Sequence, residues 1–335
     1  MAKICILDGF TSNPGDLSWD EIGKLGECAV YDRTTPEQLA ERAGDADIVL
    51  TNKVVLGLKE IGQLPKLKYI GVLATGYNVV DLKAATERGI VVTNIPAYST
   101  DSVAQMVFAH ILNITHHIAE YAAEARAGKW SQCADFCYCN TPIMELAGKT
   151  MGIVGLGNTG MATAKIALAF GMKVKALTSK TPESLPKGIE PTPLDRLLTE
   201  ADVLSLHCPL TDNTRHFINR ETLNRMKKTA ILINTGRGQL IHTNALIEGL
   251  KNKKIGSAGL DVYEEESEYF YEDQSDRIID DDVLARLLTF NNVIVTSHQA
   301  FFTREALENI ATTTLQNIKD FKSGKVSENE VKIQN

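Results

Sequence analysis

The sequence predicts an α/β protein built from two doubly wound, Rossmann-like or flavodoxin-like domains with parallel sheets. Short apolar runs alternate with helical segments along the 335 residues, which is the order expected of βαβ units. Most of these runs are continuously apolar, as in parallel strands that are buried on both faces. The pattern also repeats weakly, because residues 44–52 and 199–207 both fit a helix end followed by a strand. Two related units therefore account for the length of the chain.

Apolar runs predict the strands in order. In the first hundred residues they are KICIL, DIVLT, LKYIGVL and IVVTN. After residue 149 they are TMGIVGL, KVKAL, VLSLH, AILINT, SAGLDV and NVIVTS. Helices are predicted between the strands, for example over residues 36–44 and 81–89. Residues 100–130 have a helical pattern too long for a simple crossover, so this stretch either bridges the domains or packs against a second subunit.

Charge and composition exclude several classes of protein. The net charge is −7, from 35 basic and 42 acidic residues, and no basic stretch offers a surface for nucleic acid. No apolar run approaches the ~20 residues that span a bilayer, so no membrane association is expected. Residues 1–10 lack the apolar segment of a secretory signal, and a cytoplasmic location is expected.

The cysteines predict free thiols and no metal site. The six cysteines are scattered, as in proteins of a reducing compartment. Cys133, Cys137 and Cys139 have C-x3-C-x-C spacing, which is not a usual zinc pattern.

The most specific local signal is the glycine-rich turn GLGNTG at residues 155–160. It follows a strand, opens an alanine-rich helix and precedes a second strand, which is the context of a dinucleotide-binding βαβ unit. The first glycine permits a tight turn, the second lets the backbone approach a pyrophosphate, and the third lets helix and strand pack closely. The N–H groups at the start of the helix can bind the phosphates. The predicted contacts are Gly155, Gly157, Asn158, Thr159 and Gly160.

The end of the second strand of this unit bears on the choice of dinucleotide. Sites that prefer NAD usually hold Asp or Glu there, which binds the ribose 2′-hydroxyl. This chain has Leu177, Thr178, Ser179 and Lys180 instead. Two hydroxyls and an ammonium can bind a 2′-phosphate, and no carboxylate repels it, so NADP(H) is favoured. The alternative is that Lys180 is a solvated loop residue and that selectivity is loose.

Three later segments place polar residues directly after apolar runs. They are LINTGRGQLI, AGLDVYEEE and VTSHQAFFT. In a doubly wound sheet these carboxyl ends line the crevice that holds the ligand, so Arg237, Glu266 and His298 are expected to converge. A lone histidine after a strand is more often a packed residue than an acid–base group. The assignment of His298 as an acid–base group therefore depends on the motifs that accompany it.

The motifs GIVGLGNTG, HCPLTDNTRHFIN, INTGRG and GLDVYEEE, followed by the terminal histidine segment, occur in that order. With them the chain resembles the D-isomer-specific 2-hydroxyacid dehydrogenase family over essentially its whole length. The resemblance implies reversible hydride transfer between NAD(P)H and a small 2-keto acid. It also implies that Arg237 pairs with the substrate carboxylate and carbonyl, that His298 is the acid–base group, and that Glu266 orients His298.

The resemblance further implies the domain organisation and the remaining contacts. Residues 1–100 with 297–335 would form the substrate-binding domain, and residues 101–296 the NAD(P)-binding Rossmann domain. The implied substrate contacts, besides Arg237 and His298, are Lys53, Ala74, Thr75 and Gly76. The implied cofactor contacts are His207, Cys208, Pro209, Thr214, Thr235, Gly236 and Asp261. A homodimer is also implied: the apolar residues around 100–130 could form its interface, or they could equally cover the cofactor sheet.

The two parts of the chain resemble different subfamilies. The first 150 or so residues resemble glycerate dehydrogenases (hydroxypyruvate reductases), for example in GVLATGYNVVDL and TDSVAQ. From about residue 239 the chain resembles D-lactate dehydrogenases, for example in SHQAFFTREALENIA. Hydroxypyruvate or glyoxylate is the first choice of substrate, and pyruvate is the alternative because Phe301 and Phe302 favour a small apolar substituent. A distant alternative is a non-catalytic NAD(H) sensor, which need not keep all three catalytic groups.

Overall fold

The computed structural model describes residues 1–15, 17–269 and 280–333. The chain divides into two compact units, Met1–Ser99 with Phe302–Asn335, and Thr100–Phe301. In the described residues each unit has one sheet, and the strands of both sheets pair in parallel. The predicted fold class, with two doubly wound parallel sheets, is confirmed.

The sheet of the first unit has the strand order β2-β1-β3-β4-β5. Its strands are β1 (Lys3–Ile6), β2 (Glu27–Val30), β3 (Ile48–Thr51), β4 (Tyr69–Val72) and β5 (Val91–Thr93). All residues of β3 and β4 are buried, which explains their continuous apolar sequences. β2 was not predicted, because it lies at the edge of the sheet and exposes three of its four residues.

The sheet of the second unit has the order β12-β11-β10-β9-β6-β7-β8. Its strands are β6 (Thr150–Val154), β7 (Lys173–Leu177), β8 (Ile189–Pro191), β9 (Val203–Leu206), β10 (Ile231–Asn234), β11 (Ser257–Leu260) and β12 (Val293–Val295). The edge strand β8 was not predicted either; it is short and ends in proline. The direction of winding reverses between β6 and β9, which are neighbours in the sheet.

Helices connect the strands in both units. In chain order they are α1 (Asp20–Gly23), α2 (Leu39–Ala43), α3 (Leu58–Gly62), α4 (Leu82–Glu87), α5 (Thr100–His116), α6 (Ile118–Arg126), α7 (Asn158–Ala169), α8 (Leu194–Glu200), α9 (Arg220–Arg225), α10 (Thr243–Lys251), α11 (Glu266–Tyr269), α12 (Asp282–Leu288) and α13 (Arg304–Lys322). Short 3₁₀ turns occur at Gly9–Thr11, Pro36–Gln38, Trp130–Gln132, Pro182–Ser184 and Gly238–Leu240.

The predicted helical stretch over residues 100–130 is two helices. His117 separates α5 from α6 with a left-handed backbone conformation, φ 51°. α5 buries Val107, Phe108 and Ile111 in the core of its own unit, where the ring of Phe108 stacks on that of Phe170 at 5.2 Å. This face of α5 therefore covers the sheet of the second unit. This was one of the two alternatives for the apolar residues around 100–130; the other was a dimer interface.

Both chain ends build the first unit. α13 packs on β4, where the ring of Tyr69 lies 4.8 Å from that of Phe321. After α13 the chain returns to β5, and the N–H of Val331 donates to the carbonyl oxygen of Val92 at 2.8 Å. These contacts place the last described residues of the chain against the N-terminal sheet.

No helix in the described part of the chain is both long and apolar enough to cross a membrane.

The buried hydroxyl pair of the first unit generates a stability prediction. The Tyr69 hydroxyl lies 2.5 Å from Oγ1 of Thr93, and both residues are buried. Tyr69→Phe is expected to lower the free energy of unfolding by ~1–3 kcal/mol, because it leaves the Thr93 hydroxyl without this partner. The double variant Tyr69→Phe/Thr93→Val is expected to recover most of that loss, since neither polar group remains. Urea unfolding measures both values, and a double variant less stable than the single one would contradict this account.

Candidate active site

The carboxyl ends of the strands in the second sheet bring the predicted site residues to one edge. Because all strands are parallel, the ends of β12, β11, β10, β9, β6 and β7 follow one another along this edge. The predicted site residues that follow these strands are, in the same order, His298, Asp261, Arg237, His207, Gly155 and Thr178. The reversal of winding between β9 and β6 makes a crevice at this edge the expected place for a ligand.

The glycine-rich turn is built so that backbone and helix approach closely. Gly155 has φ 91°, and a Cβ there would lie 2.7 Å from the backbone nitrogen of Cys208. A Cβ on Gly160 would collide with the carbonyl oxygen of Gly155. At Gly157 a Cβ would meet nothing within 4 Å, so the space in front of this residue is open. Two of the three glycines are thus required by packing, and the middle one faces free space.

The start of α7 fits the phosphates of a dinucleotide. Gly157 is the N-cap and has no side chain to accept from the first N–H groups of the helix, which begins with Asn158 and Thr159. A second observation comes from Thr235, whose buried Oγ1 has no hydrogen-bond partner among the described residues. Open N–H groups and a buried hydroxyl in need of a partner are what a polar ligand at this edge would satisfy.

The residues after β7 present hydroxyls and an ammonium. Thr178 is half-buried, and its Oγ1 accepts from the N–H of Lys180 at 3.2 Å. Ser179 and Lys180 are exposed. No carboxylate stands among residues 177–180, so this strand end is neutral to basic.

The strand end after β9 is tied into a rigid turn. Thr214 donates through Oγ1 to the carbonyl oxygen of Pro209 at 2.6 Å, which closes the turn that follows Cys208. His207 hydrogen-bonds through Nε2 to Oγ of Ser205 at 2.9 Å. Burial of its imidazole lowers the pKa of His207 to about 4, so the ring is neutral near pH 7. A neutral ring at this position can contact a ligand without adding charge.

The turn after β10 holds Arg237. The side chain of Asn234 accepts from the N–H of Gly236 at 3.1 Å and donates to the carbonyl oxygen of Arg237 at 2.8 Å. The half-buried guanidinium of Arg237 donates one hydrogen of Nη1 to the carbonyl oxygen of Gly236 at 2.9 Å. This single bond orients the guanidinium while four of its five N–H groups can point elsewhere.

The structure brings His298 and Glu266 together. Nδ1 of His298 lies 3.1 Å from Oε1 of Glu266, whose Oε2 accepts from the N–H of Tyr263 at 3.2 Å. The Glu266 side chain is only 15 % exposed and that of His298 is 38 % exposed, so the carboxylate is enclosed and the imidazole faces outward. A carboxylate at Nδ1 assigns the proton of the neutral ring to Nδ1 and leaves Nε2 as the nitrogen that exchanges protons with a ligand.

The loop that carries His298 is held by Asp261. Oδ1 of this fully buried carboxylate accepts from Oγ1 of Thr296 at 2.5 Å and from the N–H of Gln299 at 3.0 Å, and Oδ2 accepts from the N–H of Ala300 at 2.8 Å. The N–H of His298 donates to the carbonyl oxygen of Asp261 at 2.8 Å. These bonds hold His298 at φ 50°, a left-handed conformation that is strained for histidine. Asp261, expected at a nicotinamide contact, anchors this loop in the structure.

A second carboxylate supports the segment that leads to Glu266. Oε1 of Glu264 lies 2.6 Å from Nε2 of His216, and Oε2 accepts from the N–H of Thr243 at 2.7 Å. Burial alone would raise the pKa of Glu264, but these hydrogen bonds outweigh it and hold the pKa below its usual value. The N–H of His216 also donates to the carbonyl oxygen of Gln239, two residues beyond Arg237. The segments of Arg237 and Glu266 are thus connected through His216.

The first unit has a loop of similar construction. Asp8 follows β1 and is fully buried; its carboxylate accepts from the N–H groups of Asn52, Lys53 and Val54, the shortest bond being 2.6 Å to Lys53. Burial raises the pKa of Asp8, and these N–H groups oppose the rise. Lys53 therefore lies in a loop whose backbone N–H groups are held by the carboxylate of Asp8.

The neighbouring loop after β4 contains Ala74, Thr75 and Gly76. The carbonyl oxygen of Ala74 accepts from the N–H of Ile95 at 3.0 Å, and Oγ1 of Thr75 donates to the carbonyl oxygen of Ile95 at 2.9 Å. The Thr75 hydroxyl is engaged within the unit, so the backbone N–H groups of this loop are the better candidates for a bound carboxylate.

Sequence reasoning missed the residues that hold the site together. Asp8, His216, Glu264 and Thr296 were not singled out, although Asp8 and Thr296 bond to candidate residues and the other two join segments that carry them. These residues have little signal in the sequence, because their partners in these bonds lie 21 to 48 residues away. Within the described residues no group of three or more His, Cys, Asp or Glu side chains can hold a metal ion.

Comparison with known proteins places the chain among dehydrogenases. Residues 108–300 match the family model "D-isomer specific 2-hydroxyacid dehydrogenase, NAD binding domain". A hydroxypyruvate reductase of Blautia hydrogenotrophica is 41 % identical and covers 96 % of this chain and 97 % of its own. The D-lactate dehydrogenase of Escherichia coli is 37 % identical over 91 % and 92 % of the two chains. A solved structure of the pyruvate reductase of Chlamydomonas reinhardtii superposes with a TM-score of 0.87 at 32 % identity, over 98 % of both chains.

The neutral imidazole of His207 generates a prediction for stability against pH. Its pKa of about 4 lies below the ~6.5 of an unfolded chain, so its contribution is complete above pH ~6.5 and is lost as the pH falls toward 4. At pH 4.5 this loss amounts to ~2 kcal/mol. His207→Gln is therefore expected to lose ~2 kcal/mol less than the parent between pH 7 and pH 4.5 in denaturant unfolding. His116→Gln, which changes a histidine of α5, serves as the control, and equal losses in parent and His207→Gln would refute the assignment.

Proposed function

Since the chain belongs to the D-isomer specific 2-hydroxyacid dehydrogenase family, we propose that it interconverts hydroxypyruvate or glyoxylate and the corresponding 2-hydroxy acid. The family resemblance carried by the motifs is confirmed, and with it a nicotinamide-dependent oxidoreductase that acts on a CH–OH group. The observation that supports a catalytic role is the 3.1 Å contact between His298 and Glu266, at the sheet edge where Arg237 also follows a strand.

The second unit would bind the cofactor and the first unit the substrate. In the second unit the turn at 155–160 would bind the pyrophosphate. The buried hydroxyl of Thr235 would form a hydrogen bond to the bound dinucleotide. The remaining predicted contacts, from His207 to Gly236, follow neighbouring strands at the same edge. When bound, the nicotinamide supplies or accepts the hydride. In the first unit Lys53 and the backbone N–H groups of residues 74–76 would bind the substrate carboxylate.

The protein groups handle charge and protons. Arg237 would pair with the substrate's carboxylate and carbonyl, which raises the electrophilic character of the carbon. Protonated His298 would donate from Nε2 to the developing alkoxide, and neutral His298 would accept that proton in the oxidation direction. Glu266 would keep Nδ1 protonated and stabilise the charged ring throughout.

Pyruvate is the alternative substrate, and a specific contact favours it. The ring of Phe301 meets that of His298 edge-on, with centroids 6.2 Å apart. An aromatic wall beside the acid–base group suits the methyl group of pyruvate better than a hydroxymethyl group, which needs a polar partner. The high identity to a hydroxypyruvate reductase over nearly the whole chain is the reason to place hydroxypyruvate first.

The cofactor preference is proposed to be NADP(H). The neutral-to-basic strand end at Thr178, Ser179 and Lys180 can bind a 2′-phosphate, and no carboxylate there can bind a free ribose 2′-hydroxyl. The cytoplasmic location inferred from the sequence stays a prediction.

A homodimer is proposed through the surface of residues 118–143. The side chains of Val107, Phe108 and Ile111 on α5 are used inside the unit, so that face cannot serve. Large apolar side chains after α5 remain exposed: Ile118 by 54 %, Trp130 by 60 %, Phe136 by 90 % and Ile143 by 60 %. Exposed apolar side chains concentrated in one segment indicate an interface with another protein surface.

The substrate and cofactor are tested by measuring kcat/KM for hydroxypyruvate, glyoxylate and pyruvate, each with saturating NADPH and then NADH. We expect hydroxypyruvate to exceed pyruvate by ~10-fold, because one buried polar contact is worth that much, and NADPH to exceed NADH. His298→Ala is expected to lower kcat by ~10²–10⁴-fold, the usual value of a general acid. His116→Ala, on α5, is the matched control.

Each result has a defined consequence. Full activity in His298→Ala would remove the proposed acid–base group. A clear preference for pyruvate would make the enzyme a D-lactate dehydrogenase in activity and would assign specificity to the side of Phe301. A preference for NADH would show that Lys180 does not select the cofactor.

The dimer is tested by sedimentation equilibrium of the Trp130→Asp/Phe136→Asp variant. We expect the parent to have the mass of two chains and the variant that of one, because charges at an apolar interface are costly to bury. Val326→Asp replaces another exposed apolar residue, outside the proposed surface, and is expected to stay dimeric. A parent with the mass of one chain would contradict the proposal.

A further inference from the structure

His110 is a buried polar residue that neither the motifs nor the proposed mechanism uses. It lies on α5, where only 3 % of the residue is exposed. Its Nε2 lies 3.2 Å from Oγ1 of Thr296, 186 residues further along the chain. A buried imidazole that finds its partner in the loop before His298 calls for a functional explanation.

The direction of the hydrogen bonds follows from the chemistry of the hydroxyl. Thr296 has one O–H hydrogen, and its 2.5 Å bond to Oδ1 of Asp261 uses it, because a carboxylate can only accept. His110 must therefore donate from Nε2 to a lone pair of the Thr296 oxygen. The result is a directed chain from His110 through Thr296 to Asp261, in which each bond strengthens the next. Burial lowers the pKa of His110, and Asp261 opposes the fall.

The chain ends on the backbone around His298. The same carboxylate oxygen that accepts from Thr296 also accepts from the N–H of Gln299, and the other oxygen accepts from the N–H of Ala300. His298 lies between these donors with φ 50°. The orientation of the carboxylate thus determines the backbone that aims the imidazole at Glu266.

The sheet makes room for this imidazole. Gly259 is the central residue of the three in β11 that pair with β12, and a Cβ there would lie 2.8 Å from Cβ and 3.1 Å from Cγ of His110. A residue with a side chain at this place would displace the ring. The glycine in the strand and the histidine on the helix are therefore complementary, which is an observation independent of the hydrogen bonds.

We propose that His110 is a positioning residue of the active site, acting through Thr296 and Asp261 to hold the His298 loop in its left-handed conformation. In this role His110 acts on His298 only through its hydrogen bond to Thr296. Its donated hydrogen bond fixes the Thr296 hydroxyl toward Asp261 and so keeps the carboxylate available to the two backbone N–H groups. The catalytic consequence rests on the proposed function of His298, but the effect on the loop does not.

The test compares two amides that differ only in where they place a donor. The side-chain nitrogen of Gln occupies approximately the position of Nε2, and that of Asn the position of Nδ1. His110→Gln is therefore expected to preserve the bond to Thr296, and His110→Asn to lose it. His110→Leu removes all polar atoms, and Ile111→Val, at the next residue of α5, controls for a small loss of packing.

The first measurement is hydrogen–deuterium exchange in the chain without ligands. We expect amides of the peptide 296–301 to exchange at least ~10-fold faster in His110→Asn and His110→Leu, and at the parental rate in His110→Gln and Ile111→Val. Melting temperatures identify any variant that fails to fold, and the Gln/Asn pair retains the comparison if the Leu variant is lost. Equal exchange in the Gln and Asn variants would overturn the proposal.

The second measurement is steady-state kinetics with the preferred substrate. A displaced His298 is expected to lower kcat ~10-fold in His110→Asn with little change in the KM for the nicotinamide cofactor, and His110→Gln is expected to restore kcat. A general loss of folding would instead lower the active fraction in proportion to stability. A parent without turnover would reject the proposed function and leave the exchange result standing; an active parent with an equally active Asn variant would reject the role of His110 alone.

Discussion

The hydrogen bonding of the buried Asp261 carboxylate is the constraint on which the candidate active site depends. Removing a carboxylate from water costs several kcal/mol unless its oxygens receive hydrogen bonds. Thr296, Gln299 and Ala300 supply them, and these donors lie on both sides of His298. Satisfying the carboxylate therefore orders the backbone that carries the imidazole. A left-handed histidine, which costs ~1–3 kcal/mol by itself, is tolerated because its neighbours are held in place.

In the first unit a buried carboxylate, that of Asp8, is likewise stabilised by backbone N–H groups of a neighbouring loop. Asp8 follows β1, and its carboxylate accepts from backbone N–H groups after β3, the adjacent strand. Asp261 follows β11, and its carboxylate accepts from backbone N–H groups after β12, again the adjacent strand. Neighbouring parallel strands are ~4.8 Å apart, so a short acidic side chain at the end of one reaches the loop after the next.

The sequence predicted those parts of the fold and site whose signals are local. The glycine turn is recognisable because Gly155 has a positive φ and a Cβ on Gly160 would collide with the carbonyl oxygen of Gly155, five residues earlier. Buried strands such as β3 and β4 are recognisable because they are continuously apolar. The strands β2 and β8 were missed because edge strands bury little and so carry no apolar run. The break at His117 was missed because a single left-handed residue leaves no pattern.

Contacts between distant residues were beyond the reach of the sequence. The candidate catalytic group was predicted through the family resemblance, since Arg237, Glu266 and His298 are separated by about thirty residues each and no spacing rule connects them. The residues that position this group can be further apart still: His110 and Thr296 are 186 residues apart. A histidine in a helix and a threonine at a strand end are also common, so neither residue attracts notice in the sequence. Which carboxylate faces which N–H group depends on strand order, and strand order is a property of the whole sheet.

Three histidines of the second unit show why residue type alone does not assign a role. Burial lowers the pKa of both half-buried His207 and buried His110, so that near neutral pH each is an uncharged group with one N–H to donate. His298 has the enclosed Glu266 carboxylate at Nδ1 and a partly exposed ring, so that it can hold a positive charge and still face a ligand. A carboxylate partner alone does not assign this role, because Nε2 of His216 lies 2.6 Å from Oε1 of Glu264. His298 differs in that its carboxylate lies at Nδ1, which leaves Nε2 for a ligand. The roles proposed for these histidines, as acid–base group, lining group and positioning group, therefore follow from the partners of each ring.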